Sequence, residues 1–235
     1  MDYQTAIITY NNMKYFEHDP VAVVRRCTEH NDIEIMGVIC SWLAYGNRNQ
    51  IFKHCTAAYD LMSGCPYQYL MSQEWRIFEG DKKCFYRLFS QHDFFSLLNV
   101  LYKVYSDYPN LQTAILSYCD ENNCHYLDAL IALLPTKGIP KNRTSACKRL
   151  SLFLRWMIRT DGIVDLGIWA GMDKKQLLIP LDVHVNRVAR ELSLLTRTAS
   201  DMKAAQQLTV NCAQLYPDDP TIMDFALFGI GYTRK

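Results

Sequence analysis

No stretch of the 235-residue chain reaches the run of about 18 apolar residues that a membrane-spanning helix needs. Its start, Met1-Asp2-Tyr3-Gln4, has neither the basic opening nor the apolar stretch of a secretory signal. The nine cysteines fall at irregular spacings, too sparse for a disulfide scaffold. No Cys-x-x-Cys or His-Glu-x-x-His is present, and Cys119, Cys124 and His125, the nearest approach to a ligand set, lack a second pair close by. The ten glycines build neither a Walker loop nor a dinucleotide fingerprint. These absences predict a soluble, cytoplasmic protein in a reducing setting, with no membrane contact, no metal and no cofactor.

What is there is ordinary globular usage, 49% apolar and 21% charged, arranged at helical spacing. Strand-period alternation never runs beyond about five residues, and no repeat, low-complexity tract or linker interrupts the chain. Ala6, Ile7, Tyr10 and Met13 mark a helical stripe over Asp2 to Phe16. Asp19-Pro20 starts a helix towards His30, and Asp32 is expected to cap a buried helix from Ile33 to Tyr45, stopped by Gly46. Further helices are predicted over Arg48 to Met62, Pro66 to Met71, Asp93 to Tyr105, Leu111 to Cys119 and Tyr126 to Leu133. After the break from Pro135 to Pro140 come Thr144 to Arg159, Lys174 to Leu178, Val183 to Leu194, Ser200 to Leu215 and Thr221 to Phe228. The fold class is all-α.

Charge is nearly balanced at +1 overall but unevenly distributed. From Asp128 to Asp161 no acid intervenes, while Lys137, Lys141, Arg143, Lys148, Arg149, Arg155 and Arg159 place seven cations there. A block of one sign suits an anionic partner. Cations neutralising acids elsewhere in the fold would give the same pattern.

The strongest single segment is Ile179-Pro180-Leu181-Asp182-Val183-His184-Val185-Asn186-Arg187-Val188-Ala189-Arg190. It delivers an aspartate to the start of an amphipathic helix, where capping alone is worth roughly 1 kcal/mol over alanine. The segment also resembles the Val-Asp-x-His/Arg helix start of the helix-hairpin-helix DNA glycosylases, the superfamily of endonuclease III and the 8-oxoguanine glycosylases. Two further stretches carry the resemblance in the same chain order. Residues Ile33 to Arg48 resemble the buried N-terminal helix and polar turn of those enzymes, and Asp224-Phe225-Ala226-Leu227-Phe228-Gly229-Ile230-Gly231 resembles their closing helix. Through phrases such as Ser145-Ala146-Cys147-Lys148-Arg149-Leu150 and Phe153-Leu154-Arg155-Trp156-Met157, the whole chain resembles an uncharacterised, largely bacterial family grouped with that superfamily.

The resemblance implies one all-α domain over residues 1–235, with two lobes interleaved in sequence around a cleft. It implies a lesion-specific glycosylase, with or without AP-lyase activity, acting on a base flipped from damaged duplex DNA and therefore nucleoid-associated. Lys148 matches the lysine nucleophile and Asp182 the catalytic aspartate. Such a lysine must attack as the free amine. Lowering its pKa by about three takes roughly 4 kcal/mol, to which Arg143, Arg149 and a helix N-terminus would contribute. Asn47, Arg48, Lys137, Lys141, Arg143, Ser145 and Arg149 are the expected DNA contacts. Trp42, Tyr45, Asp224 and Phe225 are the expected base pocket. Asn47 and Arg48 read equally well as a plain helix-start turn, and most aromatics must serve as core.

The chain also departs from the pattern. Leu134-Pro135-Thr136-Lys137-Gly138-Ile139-Pro140 stands where a Leu-Pro-Gly-x-Gly hairpin is usual, so the hairpin is degenerate. Lys148 and Asp182 are 34 residues apart, a longer separation that resembles the archaeal 8-oxoguanine glycosylases, with Asp161 to Leu178 as the insertion. The iron–sulfur loop of endonuclease III has no counterpart. A non-catalytic DNA-structure-binding protein on the same scaffold is the alternative, needing only the cationic surface.

Overall fold

The computed structural model describes residues 2–233, and among them the chain is all-α apart from one short hairpin. In chain order the helices are α1 (Tyr3–Tyr10), α2 (Pro20–Val24), α3 (His30–Leu43), α4 (Arg48–Leu61), α5 (Pro66–Ser72), α6 (Gln91–Asp107), α7 (Leu111–Asn122), α8 (Tyr126–Leu133), α9 (Lys148–Ile158), α10 (Val183–Glu191), α11 (Met202–Ala213) and α12 (Met223–Thr233). Strands β1 (Cys84–Tyr86) and β2 (Phe89–Ser90) pair antiparallel between α5 and α6, with Cys84 opposite Ser90 and Tyr86 opposite Phe89. No helix is long and apolar enough to cross a membrane, among the described residues. Two compact units result, Met1–Glu17 with Asn142–Lys235, and His18–Lys141.

Side-chain caps set most helix starts. Asp19, Asn47, Asn110, Asp182 and Asp201 each accept a backbone N–H in the first turn that follows, satisfying donors that a helix leaves open. Several boundaries differ from the periodicity. The N-terminal stripe breaks after Tyr10, where Asn12 caps a separate 3₁₀ turn at Met13–Tyr15. Helix α2 stops at Val24, well short of His30. Asp32 caps nothing of its own helix, because α3 already starts at His30; its Oδ1 instead accepts from the Tyr67 amide at 2.7 Å. The helix expected from Thr144 begins only at Lys148. Ser145 is held in an antiparallel bridge to Asp201, and Cys147 takes a left-handed conformation with φ 47°. Lys174–Gln176 forms only a 3₁₀ turn.

In the first unit, α1 lies on α12 with apolar side chains of α10 and α11 in the same core: Ile7, Val188, Leu208, Leu227 and Ile230 are all buried there. The α1–α12 approach is so close that a Cβ at Gly229 would stand 1.9 Å from the Tyr10 ring. In the second unit α3 is buried on nearly every side, consistent with its apolar run. Trp42 stacks on Phe89 with ring centroids 3.8 Å apart and donates from Nε1 to the Lys137 carbonyl at 2.7 Å. Gly138, at φ +92°, closes over this pair, where a Cβ would meet Trp42 Nε1 at 2.5 Å.

Candidate active site

Two of the residues singled out in the sequence meet directly. Lys148 is the first residue of α9, and its Nζ lies 3.3 Å from Asp182 Oδ2. Both side chains keep about a third of their surface, 37% and 30%, open to solvent. The other oxygen of Asp182 accepts from the Val185 amide at 2.8 Å. Asp182 therefore does two things at once: Oδ1 caps α10, and Oδ2 faces the amine. The buried stripe of α10, Val185, Val188 and Ala189, fixes the helix and with it the carboxylate.

Asp224, in the first turn of α12, belongs to the same electrostatic neighbourhood. Burial pushes its carboxyl up to about 6, Asp182 and Asp165 push the same way, and Arg155 and Lys148 oppose. Its direct partner is Arg155, whose Nη1 donates to Oδ2. Arg155 Nε also reaches Asp165 Oδ1 at 3.2 Å. Arg159 holds Asp165 at 2.6 Å, Asp161 at 2.7 Å and Asp219 at 2.9 Å. Arg155, Arg159 and Asp165 are all buried, at 3%, 1% and 0% exposure. Phe225 is buried beneath both guanidiniums, 4.6 and 5.3 Å from its ring centroid.

This network corrects the reading of the cationic block. Arg155 and Arg159 neutralise acids inside the fold and present no surface to a partner. The remaining five cations differ among themselves. Lys141 is exposed, and Arg143 and Arg149 are half-buried beside the Lys148 helix start. Lys137 is exposed but pairs with Asp93 at 2.7 Å. Ser145 is exposed and tied to Asp201. The loop before α11 and the first turns of that helix add two cations outside the charge block, Arg197 and Lys203: with Thr196, Thr198 and Gln207 they line an open polar cavity of about 560 Å³. The charge block draws attention to 137–159, and nothing local in the sequence tells that Ser145 joins this loop.

Trp42, Tyr45, Asn47, Arg48, Lys137 and Lys141 lie in the other unit. Trp42 is fully packed, whereas Tyr45 is 52% exposed with the Arg87 guanidinium 5.2 Å over its ring. Asn47 caps α4 through the Asn49 and Gln50 amides, and Arg48 pairs with Asp19 at 3.2 Å. The β1–β2 turn holds Arg87, at φ 53°, beside exposed Leu88, and Tyr86 donates its hydroxyl to the Tyr45 carbonyl at 2.8 Å. The hairpin escaped the sequence reading because its strands are only three and two residues long. Among the described residues, no group of three or more His, Cys, Asp or Glu side chains is placed to hold a metal ion.

Residues 19–233 match the family described as "Protein of unknown function (DUF2400)". No curated protein and no solved structure gives a match.

Proposed function

The chain belongs to the DUF2400 family, and for it we propose the function of a lesion-specific DNA glycosylase with AP-lyase activity. The observation that carries this reading is the 3.3 Å approach of Lys148 Nζ to Asp182 Oδ2 across 34 residues of sequence, at a partly open surface. A lysine and a carboxylate that share one deoxyribose must stand within a few ångströms of each other. The helix-hairpin-helix glycosylase resemblance, with its two lobes and degenerate hairpin, supplies the chemistry that such a pair would perform.

In this account a damaged base leaves the duplex, and as its bond to the sugar lengthens, the Asp182 carboxylate stabilises the positive charge developing there. The Lys148 amine forms a bond to C1′ while the bond from C1′ to the base nitrogen breaks. The sugar ring then opens as the C1′–O4′ bond breaks and O4′ takes up a proton, which gives the Schiff base; loss of a C2′ proton from it expels the 3′-phosphate and cleaves the strand. Exposed Lys141, half-buried Arg143 and Arg149, and Ser145 would contact phosphate oxygens, as would Asn47, Arg48 and Lys137. Tyr45 with Arg87 is the contact assigned to the base, while Trp42, Asp224 and Phe225 are buried inside their own units and do not reach it. A non-catalytic DNA-structure binder would rest on the cationic surface alone, which is poorer by Arg155 and Arg159.

The test is a panel of duplexes bearing single damaged bases. Wild-type protein should bind duplex with an affinity falling steeply as salt rises and should excise at least one lesion. Asp182→Asn should slow excision while keeping the helix cap and the fold. Absence of duplex affinity at about 50 mM salt, or binding without excision of any lesion, would contradict the proposal.

A further inference from the structure

The face of α9 that carries Lys148 holds a polar group that neither the fold nor the proposed reaction uses. Ser151 is 1% exposed, and its Oγ has no hydrogen-bond partner among the described residues. Orphaned buried hydroxyls are uncommon and call for an explanation. Lys148, Ser151 and Arg155 follow one another at spacings of three and four, which places them on one helix face. At one end of that face Lys148 meets Asp182, and at the other Arg155 meets Asp224 and Asp165. Ser151 stands at the level between.

The reaction raises a proton problem that this arrangement can solve. Lys148 must lose a proton before it attacks, yet a proton resting on Asp182 would cancel the negative charge needed opposite the sugar. The buried network offers another place for it. Four carboxylates, Asp161, Asp165, Asp219 and Asp224, face two guanidiniums, Arg155 and Arg159. A cluster with more carboxylates than cations in a poorly solvated interior accepts a proton readily.

We infer that Ser151 and Asp224 form the proton exit of Lys148. The Ser151 hydroxyl takes a proton from the Lys148 ammonium as it passes its own to the Asp224 carboxylate, with a water molecule spanning each gap. Lys148 is left as the amine and Asp224 as the carboxylic acid, which returns the proton to solvent after turnover. Asp224 is thus a positioning and proton-holding residue rather than a catalytic one. The groups around it are Arg155 and Lys148 from α9, Asp165 from the loop that follows, Asp182 at the head of α10 and the Cys212 thiol from α11. Asp219, at the turn before α12, is engaged by Arg159, and Tyr10 of α1 lies against Gly229 instead. Since its carboxyl ionises only above about 6, the relay should fade as pH falls through that value.

The inference rests on Lys148 being the nucleophile, and its test separates the two. Single-turnover borohydride trapping on an abasic-site duplex is followed from about pH 5 to about pH 8, the range in which an acceptor tuned near neutrality shows itself. The wild-type rate should rise as Asp224 ionises. Ser151→Ala should be slower by about tenfold or more and lose that rise, with its melting temperature unchanged. Ser151→Thr, which keeps the hydroxyl, should restore both. Asp224→Asn should be slow and flat with pH. A Ser151→Ala protein that traps at the wild-type rate with the wild-type rise overturns the relay and leaves Lys148 in place. Equal slowing in Ser151→Ala and Ser151→Thr, with lowered melting temperatures, also overturns it in favour of packing. Wild-type protein that is never trapped removes the nucleophile itself, and the relay with it.

Discussion

In the unit formed by His18–Lys141, the buried acid Glu34 has both oxygens answered by donors. The Leu111 and Gln112 amides reach it at 2.7 and 3.0 Å, the Tyr105 hydroxyl at 2.6 Å and His30 Nε2 at 3.1 Å. It closes the N-terminus of α7 from the side of α3, a fixed structural task. The other unit treats its buried acids differently. Asp165 and Asp224 are met by arginine side chains that are themselves shared with Asp161 and Asp219. Burial pushes both carboxyls above the ordinary aspartate value. Backbone amides hold an anion without adding charge that must itself be neutralised, whereas shared guanidiniums leave the anions in excess. An acid left with a raised pKa beside an open lysine–aspartate pair is the kind of group that serves chemistry rather than packing.

The largest effect should come from removing a shared cation. Arg159→Ala leaves the buried Asp165 with Arg155 alone and takes the guanidinium from the half-buried Asp161 and Asp219, and breaking a buried pair in this way costs about 3–5 kcal/mol. Urea unfolding should show that loss, and a loss below about 1 kcal/mol would mean that water reaches the network freely.

An amide swap compares the two buried acids directly. Glu34→Gln turns one of the two acceptor oxygens into a donor, which then faces either the Leu111 or the Gln112 amide, and should cost about 2 kcal/mol at neutral pH. Asp224→Asn should behave differently and depend on pH. Asp224 holds its proton more tightly folded, at about 6, than unfolded, at 3.8. Wild-type stability relative to Asp224→Asn should therefore fall as pH rises from about 4 to about 6, and stay level above, by roughly 3 kcal/mol in total. Equal and pH-independent losses for the two swaps would erase the distinction.

The smallest effect belongs to Lys137. Its ion pair with Asp93 is exposed on the lysine side, so Lys137→Ala should change stability by less than about 1 kcal/mol. If Lys137 also contacts phosphate, the same substitution should lower the salt slope of duplex binding by about one. A stability loss with an unchanged slope would assign Lys137 to the fold alone.

Much of this arrangement can be read from the sequence, and what cannot has identifiable causes. Helix α8 falls at Tyr126–Leu133 as its apolar spacing predicts, and Asp182 caps α10 as its Pro-Leu-Asp approach predicts. Such features depend on neighbours in sequence. The start of α9 depends on Asp201, more than fifty residues away, whose bridge to Ser145 keeps residues 142–147 out of the helix. Likewise the sequence shows seven cations in a row without an acid, but the acids that bury Arg155 and Arg159 come later in the chain, at Asp161, Asp165, Asp219 and Asp224. The approach of Lys148 to Asp182 could be expected only through the family resemblance, since neither residue marks the other across 34 positions. Ser151, an unremarkable serine in an amphipathic helix, carries no sequence signal at all.

The central claim is that Lys148, set against Asp182, is the nucleophile of a DNA glycosylase. Borohydride reduction of the protein mixed with an abasic-site duplex tests it most directly, with wild type and Lys148→Gln run side by side and duplex affinity measured for both. The account predicts a covalent protein–DNA complex with wild type and none with Lys148→Gln, at nearly equal affinity. A wild-type protein that forms no complex, or a complex that survives Lys148→Gln and so points to Lys141 or Lys137, would contradict it.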